Sequence, residues 1–173
     1  MGEGMNEIKF DTQVGWKDLY HFLMRHFYTS FSGIFGIVLS LAALVVLILN
    51  INKGEPFQLL ILFVMASLFT VLQPLQMLQK AGNQIKRNPV FQNPLHYVVN
   101  KKGISVSQNG ESSTIEWKEV RKIVETKKAF FVYMSTLNAN VIPKEQINDA
   151  KDSFRKLVKE NMEKGTYKLN QTR

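Results

Sequence analysis

Two stretches of this chain contain no Asp, Glu, Lys or Arg. They run from His26 to Asn52 and from Pro56 to Gln79, 27 and 24 residues long. A helix needs about 20 mostly apolar residues to cross the hydrocarbon of a bilayer. The stretches are separated only by Lys53-Gly54-Glu55, so they read as a helical hairpin with apolar cores at 33–51 and 57–78. Chain averages conceal this. At 173 residues, 45% hydrophobic and 21% charged, with a mean hydropathy of −0.10, the protein would pass for a soluble domain.

Gly54 and Pro56 punctuate the turn, and Pro56 suits the first turn of the second helix, where its missing N–H costs nothing. Gln73, Pro74 and Gln76 weaken the last third of that helix, which is expected to end or kink near Pro74. A polar stretch of 32 residues precedes the first core, so a retained anchor is expected rather than a cleaved signal peptide. Neither helix carries an ionisable side chain, which argues against a stand-alone transporter or channel. Ser32, Gly36 and Ser40 recur every four residues as a candidate helix-packing stripe. The expected contact is with the second helix of the same chain, with a homo-oligomer face as the alternative.

The net charge of +8 is unevenly placed. Residues 1–32 are net −1, whereas residues 80–173 hold 18 basic and 9 acidic side chains. Lys17 and Arg25 precede the hairpin, and Lys80, Lys86 and Arg87 follow it. Positive flanks stay in the cytoplasm, so both termini are expected there, with Gly54 outside, in a two-pass protein of the cell (inner) membrane. Arg25, Lys80, Lys86 and Arg87 are candidate contacts with lipid headgroups. Basic and acidic residues are interspersed without an arginine-rich run, so nucleic acid is not an expected partner.

The chain has no cysteine, which removes disulfides, thiolate nucleophiles and Cys-ligated metals. Its histidines, His21, His26 and His96, form no H-x-x-x-H pair, and no P-loop, G-x-S-x-G or G-x-G-x-x-G occurs. Glu116 and Glu119 flank Lys118 and read as a solvated turn. No catalytic residue, metal or cofactor is expected.

Glu7 to Asp11 alternates like a short strand. Trp16, Leu19, Tyr20, Leu23 and Phe27 then recur at helical spacing, placing an amphipathic helix at 16–28 beside the membrane. A basic linker is expected at 79–93. Beyond it the apolar period becomes two: Leu95-Tyr97-Val99, Ile104-Val106, Ser113-Ile115-Trp117, Val120 to Val124, Ala129 to Met134 and Ala139 to Ile142. Asn109-Gly110 marks a tight hairpin. A closing helix follows, with Asn148 as the expected N-cap, Asp149 and Asp152 in its first turn, and Gly165 beyond its end. Trp117 and Phe131 are the candidate sheet-core aromatics. Thr166–Arg173, within the tail 165–173, is expected to fray.

Short antiparallel strands followed by one amphipathic helix resemble a pleckstrin-homology-like sandwich or barrel. Gly103-Ile104, Ser112 to Trp117, Val120 to Phe131 and Ile142-Pro143-Lys144 resemble the YcxB-like family of bacterial membrane proteins. Where a bulky residue such as Phe is expected after Pro143-Lys144, Ile147 is the substitute. The resemblance implies an α+β membrane protein: residues 1–32, a transmembrane hairpin at 33–78, the linker, a cytoplasmic domain at 94–164 and a tail. It implies no catalytic residue. The core of residues 94–164 is marginal in size, which leaves room for the N-terminal strand to join its sheet. The expected role is a membrane-anchored, non-enzymatic scaffold presenting its β-rich domain to a protein or lipid-headgroup partner. The alternative is an accessory subunit of a larger membrane complex.

Overall fold

The computed structural model describes residues 7–136 and 138–170. The first six residues of the N-terminal segment and the last three of the expected tail lie outside them. The chain is α+β and divides into two compact units, Met1–Asp18 with Ile85–Arg173, and Leu19–Gln84.

The first unit holds two four-stranded sheets and a helix. In one sheet β1 (Glu7–Thr12), β2 (Leu95–Asn100), β3 (Gly103–Gln108) and β4 (Glu111–Glu116) lie in sequence order, all antiparallel. The N-terminal strand thus does join the C-terminal sheet. β1 and β2 are neighbours although more than eighty residues separate them, and the apolar helices are an insertion between two paired strands. Asn109 and Gly110 close the β3–β4 hairpin with φ of 52° and 85°, the left-handed pair that a two-residue turn demands. Gly103 is required for a different reason. A Cβ there would lie 2.2 Å from the Ile115 carbonyl oxygen.

The second sheet has the order β7 (Ala139–Pro143), β6 (Ala129–Tyr133), β5 (Lys122–Glu125), β8 (Tyr167–Lys168). Both sheets and α5 (Ala150–Asn161) share one core, built from Ile8, Phe10, Tyr97, Val99, Ile104, Ile123, Phe130, Val132, Ile142, Phe154, Leu157 and Val158. In β1 and β2 the period of two is the record of one buried face, whereas β5 and β6 bury side chains on both faces.

Local corrections follow from packing. Asn148 is not the N-cap. It takes a left-handed conformation at φ 27°, and Asp149 occupies the cap position without a side-chain bond. The helix ends at Asn161, and Gly165 (φ 100°) shapes the turn beyond it. Tyr167 and Lys168 are not frayed but pair in parallel with Ile123 and Val124.

The second unit contains most of α1 (Trp16–Thr29), all of α2 (Phe31–Asn50) and α3 (Pro56–Ser67), a π-helical turn at Leu68–Leu72 and most of α4 (Gln73–Arg87). Ser30 caps α2 by accepting the Gly33 N–H at 3.1 Å. Two helical runs, Phe31–Asn50 and Pro56–Arg87, are long and apolar enough to cross a membrane. The second does not end near Pro74. It changes to π geometry just before the proline and continues to Arg87, so most of the expected 79–93 linker is helix.

Candidate functional site

The seam between α2 and the second run follows from small residues. Gly33, Gly36, Ser40 and Ala43 are the buried positions of α2, whereas Ser32 is exposed and lies outside the stripe. The Phe69 ring occupies the space that a Cβ on Gly36 would need, 2.3 Å from its ideal position. The Ser40 hydroxyl donates to the Met65 carbonyl at 3.0 Å. Gly36 and Ser40 are therefore used inside the hairpin.

Pro74 gives the π turn its logic. A proline has no N–H to donate. In the π register, shown by the Gln73 N–H reaching the Leu68 carbonyl, the carbonyl waiting for residue 74 belongs to Phe69. The Tyr28 hydroxyl donates to that oxygen at 2.6 Å. Phe27 stacks on Phe69 with ring centroids 6.3 Å apart. The end of α1 thus repairs the hydrogen-bond gap that Pro74 opens.

Lys80, Lys86 and Arg87 are exposed on α4, and Arg25 is half-buried on α1. None of the four takes part in an ion pair among the described residues. Trp16, 46% exposed, has the Lys17 ammonium 5.6 Å from its ring centroid.

In the β-rich unit, Trp117 sits in the core, on a single 3-10 turn closed by Glu116 and Glu119, and its indole N–H donates to the Asn100 carbonyl at 2.9 Å. Phe131 is buried on the face of β6 opposite Phe130 and Val132, and Phe130 is the aromatic that fills the common core. Tyr97 and Thr12 carry buried hydroxyls, and burial pushes the Tyr97 phenol up from its ordinary value.

The most organised polar cluster centres on Glu125, whose side chain is fully buried. Arg155 grips both oxygens, Nε to Oε2 at 3.0 Å and Nη2 to Oε1 at 2.6 Å. Lys144 Nζ reaches Oε1 at 2.6 Å, and the Asn170 N–H reaches Oε2 at 2.9 Å. Asp152 holds the other arm of Arg155. Burial alone would raise the Glu125 pKa, but the bonds from Arg155, Lys144 and the Asn170 N–H outweigh it and hold the carboxyl below its ordinary range. Both cations also lie over the Phe130 ring, at 5.5 and 5.9 Å. The cluster joins β5, the residue after β7, α5 and the chain beyond β8. Glu125 spends both oxygens on these donors, while the remaining donors of the cluster go to Asp152 and the Thr126 carbonyl, an arrangement that ties the chain together. Sequence reasoning passed over it. The available signal was a lone acid ending the apolar run Ile123-Val124, and an arginine beside Phe154 on the inner face of a helix.

Asp11 and His96, cross-strand partners on β1 and β2, form an exposed pair at 2.6 Å. Among the described residues, no group of three or more His, Asp or Glu side chains could hold a metal ion.

Comparison with protein families meets the geometry at the same segment. The family model described as YcxB-like protein matches residues 99–158, which run from β2 through most of α5. The match covers about a third of the chain. No curated protein and no solved structure matches the chain.

Proposed function

We propose that this is a two-pass membrane protein that anchors a β-rich binding domain at the cytoplasmic surface of the cell membrane. The role is a scaffold: it presents a surface to a partner and performs no catalysis. The observation that carries the reading is the insertion itself. β1 and β2 are paired neighbours, so the chain that leaves after Thr12 must return before Leu95 on the same side of any bilayer. Two crossings satisfy that condition and one does not.

The apolar surface supports the same reading. Phe31, Val38, Ile48, Leu49, Phe57 and Phe63 are all more than half exposed, a surface suited to lipid and not to water. Positive flanks on both runs favour the cytoplasmic side for the domain. Pro56–Arg87 has 32 residues, about 48 Å of helix against about 30 Å of hydrocarbon. Its last turns therefore stand outside the bilayer. Lys80 is the basic residue nearest the headgroups, and Lys86 and Arg87 lie further along the same helix. Two antiparallel sheets with a closing helix support the pleckstrin-homology-like reading of the domain. The accessory-subunit alternative needs a surface other than Gly36 and Ser40, since both are engaged within the hairpin.

Site-specific photo-crosslinking in native membranes tests this. A crosslinker at Val45 should give lipid adducts, and crosslinkers at Lys127 or Lys156 should give discrete protein or headgroup adducts. Adducts from Val45 to water-soluble proteins, or none from either domain position, would refute the reading.

A further inference from the structure

Four strands lie at sheet edges: β1 and β4 in one sheet, β7 and β8 in the other. An open edge is a row of unpaired backbone donors and acceptors, and natural proteins cover, shorten or interrupt such edges. Three of the four are protected in this way. β1 packs against α5, with Phe10 edge-on to Phe154 at 6.4 Å, and it carries Lys9. β7 ends on Pro143 and buries Val141, Ile142 and Pro143. β8 is two residues long.

β4 has none of these devices. Glu111–Glu116 is six residues long, five of them exposed, with no Pro, Lys or Arg. Its register with β3 is continuous, without a bulge. Beside it lies a groove of about 600 Å³. Val106, Ile115, Leu95 and Met134 contribute its apolar wall. Ser113 shares the inward face with Ile115 and pairs with Val106. A serine there is too small to fill the space, so the groove stays open where a larger residue would close it.

We propose that β4 accepts an extended strand from a partner protein, one that alternates apolar and basic residues. This rests on the reading of the β-rich unit as a presented binding domain. Added backbone bonds would supply affinity along the edge, and alternate apolar side chains would enter the groove beside Ser113. Charge selects the partner. The strand is bracketed by Glu111 and Glu116 in a protein that is otherwise basic. Glu116 already holds Lys118 at 2.7 Å, whereas Glu111 has no ion pair among the described residues. Antiparallel pairing of two copies about the centre of β4 would set Glu111 opposite Glu116, a like-charge contact that destabilises a ladder. The same carboxylates attract a strand flanked by Lys or Arg. The edge is thus biased against a second copy and toward a basic partner.

The test uses the full chain in phosphatidylcholine nanodiscs and two synthetic peptides, one alternating Lys and Val, the other Glu and Val. The Lys–Val peptide should slow amide exchange across Glu111–Glu116 by about tenfold or more, and the Glu–Val peptide should not. Glu111→Lys should weaken the Lys–Val peptide about threefold, the effect of one rim charge, and shift preference toward Glu–Val. Ser113→Trp should block binding by filling the groove. Thermal melting of both variants confirms that the fold is retained. Failure of the Lys–Val peptide to protect β4, or equal binding to both variants and the parent chain, overturns the proposal. So does protection of β4 that rises with protein concentration in the absence of peptide, since the occupant would then be a second copy. If Lys127 or Lys156 crosslinks to proteins while β4 stays unprotected, the scaffold reading stands and this surface assignment falls.

Discussion

Replacing Glu125 with Gln keeps the shape of the buried side chain and removes its charge. Arg155 and Lys144 would then lose their common anion. Their side chains are 13% and 14% exposed, so little water can take its place. Removing one partner of a buried ion cluster costs about 3–5 kcal/mol. Arg155 retains Asp152, and both cations keep a sliver of solvent, so the low end applies, about 3 kcal/mol. A domain of this size has about 5–15 kcal/mol in total, and each kcal/mol moves its midpoint by about 4–8 °C. The expected fall is therefore about 12–24 °C, followed by Trp fluorescence and near-ultraviolet circular dichroism of the full chain in detergent. Amide exchange should also quicken at Asn170, whose N–H donates to Glu125. Replacing the pair together, as E125L/R155M, should recover at least half of the loss, because no cation that depended on Glu125 through two bonds then remains buried. A shift of E125Q below about 3 °C, or a double variant as unstable as the sum of its parts, would refute the account of Glu125 as the centre of the fold.

Three further outcomes follow from the same reasoning. Glu125 is held below its ordinary range, so its contribution is complete above the unfolded carboxylate pKa, about 4.3, and fades as pH falls through the lower native value. An acid titration of stability should show this limb in the parent chain and a smaller one in E125Q. Tyr28→Phe leaves the Phe69 carbonyl without a donor beside Pro74, at a cost of about 1 kcal/mol, and amide exchange at Val71–Gln73 should quicken about fivefold while α5 is unchanged. Gly36→Leu drives side-chain atoms into the Phe69 ring, and cysteine crosslinking between introduced Cys at Ser40 and Met65 should drop sharply, whereas Ser32→Leu, on an exposed position, should leave it intact.

Much of the architecture is written in local pattern. Charge-free runs of about 20 residues or more, a period of 3.6 at Trp16–Phe27 and a period of two from Leu95 onward each report the solvent or core that one element faces. Those signals need no partner to be read, and they place nearly every strand and helix. Pro74 could also be recognised as a disturbance. Its consequence could not, because whether a proline ends a helix or is absorbed into a π turn depends on a donor from elsewhere. Here that donor is Tyr28, more than forty residues away.

The same distinction separates the rest. The stripe at Ser32, Gly36 and Ser40 was legible as spacing, but which helix face meets Phe69 depends on the crossing of two helices, and that exchanges Ser32 for Gly33 and Ala43. Glu125 looks like an unremarkable acid until the residue after β7, α5 and the chain after β8 bring Lys144, Arg155 and the Asn170 N–H to it. The open edge of β4 is likewise a property of the sheet: Glu111–Glu116 reads as a polar strand, and only the order β1-β2-β3-β4 leaves it last. Sequence alone determined which segments are apolar enough to leave water, since that is a local transfer free energy. Tertiary structure decided which distant groups meet, since hydrogen bonds, ion pairs and free edges exist only between segments that the fold has placed side by side or left apart.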